Sequence, residues 1–148
     1  MNNYLPVSDA SFNKTPLPIS NSLLEQLSHL LNKHPEVIND NHITINFRDK
    51  RYSVERGGYH PVEIALSKDA NNHYSIMYIT DFSFNGYPYP ELERDIDFDL
   101  SNGAVFTRYS GWKGIASPSM SNLYKLWESN FIAYLDMKAY DQIELRSH

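Results

Sequence analysis

The chain has no cysteine at all. That absence removes disulfide bonds, thiolate nucleophiles and cysteine-ligated zinc from consideration, and it suits a reducing compartment. Nor is there any apolar run close to the roughly 18 residues that a membrane span requires. The opening stretch, MNNYLPVSDASFNKTPLPIS, lacks the basic and apolar segments of a secretory signal. A cytoplasmic location without membrane association is therefore expected. Positive charge is scarce too: 13 Lys and Arg stand against 18 Asp and Glu, giving a net charge of −5. A field of that sign repels phosphate backbones, so no nucleic-acid partner is expected, the short Lys50, Arg51 and Arg56 cluster notwithstanding. Catalytic signatures are missing as well, with neither a G-x-S-x-G elbow nor an HExxH helix.

What the chain does contain is enough for one folded domain. Its 148 residues are 41% hydrophobic and 14% aromatic, with 11 tyrosines. Tyrosine carries a polar tip, which places many of these rings at the rim of a core or on a partner-facing surface. Residues 1–18 hold Pro6, Pro16 and Pro18 among Asn, Ser and Asp. They read as an extended lead-in that drapes or frays, ahead of a single domain over residues 19–148.

Leu23, Leu24, Leu27, Leu30 and Leu31 share one stripe and predict a first helix. Either Ser22 with Glu25 or Ser20 with Ile19 can start it, and Pro35 ends it. The period then changes to two. Ile43, Ile45 and Phe47 form one half-buried strand, and Val62, Ile64 and Leu66 another. In HYSIMYITDFSF, strict alternation puts Tyr74, Ile76, Tyr78, Thr80, Phe82 and Phe84 on one face of the central strand. KDANNH closes a hairpin before it. Asn102-Gly103 signals a second hairpin with a type I′ turn, between a strand alternating Ile96, Phe98 and Leu100 with aspartates and one from Ala104 to Tyr109. Ser117 with Pro118 starts a second long helix whose apolar face includes Met120, Tyr124, Trp127 and Phe131. A closing YDQIELRS, with Ile143 and Leu145 inward, adds an edge strand. The resulting fold class is α+β: a meandering antiparallel sheet of five to six strands with an N-terminal and a C-terminal helix packed on it.

Few residues suggest chemistry. Asp95, Asp97 and Asp99 match the first half of an EF-hand loop, but Leu100 stands where glycine is needed and Phe106 where the bidentate glutamate should be. The three read instead as the solvated acidic face of a strand, with a weak divalent-cation site or a surface for a basic partner as the lesser alternatives. No metal ligand set emerges, and no cofactor is expected. ERGGYH resembles an anion nest without the helix a phosphate loop requires, and GWKG resembles an RNA-clamping loop without its two helices. Among six scattered histidines, His60 stands out because Glu55 and Glu63 lie near it in sequence. Tyr87 and Tyr89, set among prolines in NGYPYPE, belong on an exposed loop suited to protein recognition.

Four stretches carry a resemblance: INFRDKRYSVERGGYHPVEI, YITDFSF, ELERDIDFDLSNG and NFIAYLDMKAYDQIEL. Together they resemble an uncharacterised bacterial domain-of-unknown-function family, found in marine gammaproteobacteria and on their mobile or pathogenicity islands. The resemblance covers roughly residues 20–146 and brings no activity, cofactor or catalytic residue with it. It implies a fold similar to the mitochondrial acidic matrix glycoprotein, and fold alone does not transmit function.

The functional expectation is a non-catalytic binding or adaptor domain. It would meet a protein partner, or a second copy of itself, through Asp95, Asp97 and Asp99 or through Tyr87 and Tyr89. The alternative is a small enzyme using Arg48, Arg56, His60 and Glu63, which requires a hollow where those four side chains converge.

Overall fold

Ser20 settles the first helix. Its side chain accepts the backbone N–H of Leu23 at 3.2 Å, which caps α1 (Asn21–Asn32) and leaves Ile19 partly buried against the core. Leu23, Leu27 and Leu31 are completely buried on its inner stripe. Pro35 ends this helix and opens a four-residue turn of helix, α2 (Pro35–Ile38). The computed structural model describes residues 6–148. The first five residues of the expected lead-in lie outside that range. Over its remainder, Val7 and Leu17 are buried, and Asn13 donates its backbone N–H to the Tyr74 carbonyl at 2.8 Å.

Seven strands among the described residues form one antiparallel sheet: β1 (His42–Arg48), β2 (Val62–Lys68), β3 (Tyr74–Asn85), β4 (Glu91–Asp99), β5 (Ala104–Thr107), β6 (Gly111–Gly114) and β7 (Gln142–Ser147). Their spatial order is β6-β5-β4-β3-β2-β1-β7, so β3 is central, as its sequence predicts. The strand absent from the sequence reading is β6. Its GWKG carries two glycines and one buried-side candidate, too little for an alternation to show. At the other edge, Ile45 pairs with Leu145 and Phe47 with Ile143. Leu145 packs against the core, whereas Ile143, nearer the rim, is exposed.

α3 (Pro118–Asp136) carries the chain from the β6 edge to the β7 edge. Its 19 residues extend about 28 Å at 1.5 Å each. Six inter-strand steps of about 4.8 Å come to about 29 Å, so the helix matches the breadth of the sheet. Ring contacts mark the crossing: Tyr124 and Trp127 meet Phe98 of β4, and Phe131 meets Phe47 of β1 edge-on at 5.1 Å. Each such ring, fully buried, contributes about 1.5–3 kcal/mol.

Two β-bulges overturn the strict alternation expected of β3 and β4. Ala65 pairs with Tyr78 but Leu66 with Ile76, so Met77 is an extra residue, its carbonyl taken by the Ser101 N–H at 3.0 Å. After it the faces exchange. Tyr74, Ile76 and Ile79 are buried in the core, while Tyr78 turns to the opposite face and donates its hydroxyl to Glu63. Of the four rings that alternation places on one face, Tyr74, Tyr78, Phe82 and Phe84, Tyr74 alone belongs to the buried core, and Phe84 instead stacks on Tyr52 with centroids 5.2 Å apart. The second bulge falls on β4. Asp81 pairs with Ile96 but Phe82 with Arg94, which leaves Asp95 unpaired in register. The second hairpin forms as expected, but not through a type I′ turn. Asp99 pairs with Ala104, and of the residues between them only Gly103 has positive φ, at 68°.

Candidate functional site

The bulge at Asp95 separates the three aspartates expected to share a face. Asp97 and Asp99 stay on the side of the sheet away from the helices, opposite Thr80 and Tyr78. Asp95 lines a hollow of about 310 Å³ beneath α3, together with His60, Asp81, Trp127, Tyr134 and Tyr140.

His60 reaches this hollow because the connector before β2 is tied back on itself. Asp49 accepts the Arg51 N–H with one carboxylate oxygen and the Tyr59 N–H with the other, at 3.0 and 3.2 Å. Gly58, at φ 126°, lets the backbone pass Asp49, and a Cβ there would lie 2.8 Å from its Oδ2. The Pro61 carbonyl then accepts the Phe82 N–H at 2.9 Å, which brings His60 alongside Asp81.

Asp81 joins three elements. Its Oδ1 lies 2.8 Å from His60 Nδ1, and its Oδ2 accepts the Trp127 indole N–H at 3.0 Å. Asp95 approaches from β4, with Oδ2 at 4.0 Å from the same His60 nitrogen, while its Oδ1 accepts Arg108 Nε at 3.2 Å. The hydrogen bond to Asp81 raises the His60 pKa above its ordinary value; burial opposes this, and the charges of Asp81 and Asp95 add to it. Among the described residues, His60, Asp81 and Asp95 are the one trio of metal-ligating type whose ligand atoms all lie within 4.8 Å of one another.

The remaining expected site residues are dispersed. Arg48 is exposed at the end of β1, and Arg56 is exposed in the connector, its N–H held by Ser53 Oγ at 3.0 Å. Glu63 faces the other side of the sheet with Tyr78. Thus of Arg48, Arg56, His60 and Glu63, the hollow receives only His60. Asp97 is buried, accepting Thr80 Oγ1 at 3.0 Å and Arg94 at 3.3 Å; burial raises its pKa against the pull of those bonds. Burial also pushes Asp99 upward, but hydrogen bonds from Asn102 and Ser101 prevail and hold its carboxyl below the usual range. Tyr87 and Tyr89 stand 97% and 85% exposed between β3 and β4.

No motif marks Asp81 or Arg108 as a site residue, and helical spacing places Trp127 only on the apolar face of its helix. A signal for the first was present: Asp81 is the one charged residue of the central strand, YSIMYITDFSFN. A second hollow of about 680 Å³ lies beside the N-terminal segment, lined by Val7, Ile38, Lys68, His73 and Tyr74 among others. There the Lys68 ammonium is spent on the Ile38 carbonyl, and no set of ligating groups converges among the described residues.

No curated protein matches the sequence. Two solved structures are similar to nearly the whole chain. One is a hypothetical protein from the Vibrio cholerae VSP-II pathogenicity island, 44% identical, with TM-score 0.84, covering 92% of this chain and 99% of that one. The other is a conserved hypothetical protein from pathogenicity island VPI-2 of Vibrio cholerae O1, 45% identical, with TM-score 0.83, covering 91% of this chain and 99% of that one. The second is described as sharing structural homology with the human P32 protein, the mitochondrial acidic matrix protein whose fold the sequence resemblance implies. Residues 21–146 match the family described as protein of unknown function (DUF2787), and the chain belongs to that family.

Proposed function

We propose that the chain is a cytoplasmic, non-catalytic protein-binding or adaptor domain that meets its partner through the hairpin of β3 and β4. The observation that carries this reading is the exposure of Tyr87 and Tyr89 at the tip of a protruding ribbon. β2 pairs with β3 only as far as Asp81, and β5 with β4 only as far as Ile96. As strands, Phe82–Asn85 and Glu91–Arg94 therefore pair only with each other, tied at the base by the Phe82 N–H to the Pro61 carbonyl and by Arg108 to the Arg94 carbonyl, and braced further out by Tyr52, whose hydroxyl oxygen accepts the Phe84 N–H at 3.1 Å. A two-stranded ribbon is marginal by itself, and exposed tyrosine is characteristic of recognition surfaces.

The acidic sheet face weighs less than the sequence suggests. Asp97 is occupied by Thr80 and Arg94, Asp99 by its own turn, and Glu63 by Tyr78. The exposed carboxylates nearest the tyrosines in sequence are Glu91 and Glu93, the second also meeting Arg108 at 3.6 Å, and they favour a partner with a basic rim around an apolar pocket.

The test is site-specific crosslinking in the native cell, with a photoreactive phenylalanine analogue at Tyr87 and, as control, at exposed Met137. A discrete protein adduct from position 87 that is absent from position 137 and lost on Tyr89→Ser is expected. Equal or diffuse labelling from both positions would count against the ribbon.

A further inference from the structure

We propose that His60, Asp81 and Asp95 form a binding site for one divalent transition-metal ion at the floor of the hollow beneath α3. This reading is independent of the ribbon. The three donors come from three separate segments: the connector before β2, the central strand β3 and the bulge of β4.

The donors lie close enough together to take an ion in place of the His60–Asp81 ion pair. His60 Nδ1 is 2.8 Å from Asp81 Oδ1 and 4.0 Å from Asp95 Oδ2. Metal–ligand bonds of about 2.0–2.2 Å set neighbouring ligand atoms about 3–3.5 Å apart, so small side-chain rotations bring the trio into place. Each carboxylate is also held from behind. Trp127 donates to the outer oxygen of Asp81 and Arg108 to the outer oxygen of Asp95, and the inner oxygens are those turned toward His60. Metal-ligating carboxylates are commonly fixed in this way by outer donors. A single ion pair with His60 would need only Asp81; the bulge that re-aims Asp95 into the hollow adds a second carboxylate.

One imidazole and two carboxylates suit zinc, manganese or iron(II), and are too few oxygens for calcium. Three protein ligands leave further coordination positions, and the hollow of about 310 Å³ has room for water or a small oxygen ligand there. On binding, the ion takes the place of the proton shared between His60 and Asp81. The charge of Arg108 works against tight binding.

The experiment titrates the full chain, freed of metal with a chelator, with Zn²⁺ and Mn²⁺ by calorimetry and with Co²⁺ by visible absorption. One ion per chain is expected, with at least about a tenfold loss of affinity in both Asp95→Asn and His60→Ala. Glu63→Gln, on the other face, should bind as the parent does. His60 is 39% exposed, so its variant is expected to keep the parent's circular dichroism. No binding of any of the three ions by the folded parent, or undiminished binding by the two ligand variants, would overturn the site.

Discussion

Tyr124 donates its hydroxyl to Glu128 one turn further along α3, at 2.5 Å, and the same Glu128 oxygen accepts the backbone N–H of Ser20 at 3.1 Å. Both side chains are buried, so this carboxylate joins the start of α1 to the middle of α3 with no help from solvent. Burial, and then the hydrogen bond to Glu128, raise the Tyr124 pKa well above 10.0, and Tyr78 and Tyr140 are raised as well. A group whose folded pKa lies above its unfolded value stabilises the fold fully below the unfolded value and progressively less as pH rises beyond it. Urea midpoints measured from pH 8 upward should therefore hold steady and then fall above about pH 10, the ordinary tyrosine value. Tyr124→Phe should be less stable at pH 8 by about 1.5–3 kcal/mol, the worth of a hydrogen bond to a charged group, and should show a shallower alkaline decline.

Trp127 binds Asp81 through its indole N–H, and its ring stacks on Phe131 at 4.9 Å. Trp127→Phe keeps a ring but leaves the outer oxygen of Asp81, a side chain only 14% exposed, without that donor. A loss of about 1–3 kcal/mol in urea unfolding is expected. Trp127→Leu should cost more, since the stacked ring is lost too.

The two glycines of ERGGYH are not equivalent. Gly57 has φ 69° with open space around it, so Gly57→Ala meets the left-handed penalty alone, about 1–2 kcal/mol. Gly58 has φ 126°, and its added Cβ would meet Asp49 Oδ2 at 2.8 Å and the Tyr52 backbone at 3.1 Å. Gly58→Ala should be clearly the more damaging of the two. It should also perturb the His60 imidazole resonances in an NMR spectrum, which Gly57→Ala should leave in place.

Much of the architecture was legible because period-two and helical patterns are local. Ile43, Ile45 and Phe47 announce β1, and Ser117-Pro118 announces α3. The bulges were not legible: one extra residue at Met77 or Asp95 leaves the composition of a strand unchanged while reversing which face each later residue takes. Hence alternation alone groups Asp95 with Asp97 and Asp99, and nearness in sequence offers His60 only Glu55 and Glu63. The actual partners, Asp81 and Asp95, are set by the pairing of strands. Glu128 escaped for a related reason. On a helix seen alone it is one more polar residue, and only the arrival of Ser20 gives it a place inside.

The pairing of Ile45 with Leu145 has a bearing on how the molecule assembles. β1 waits for a strand about a hundred residues away in the chain, and contacts of such separation are slow to form. Until β7 docks, one rim of the sheet offers unpaired backbone groups to any neighbouring chain. The last strand thus replaces the apolar rim of β1 with a short edge that carries Glu144 and Arg146, charges that discourage further pairing. Its loss would be felt first in the yield of soluble protein from a crowded refolding mixture.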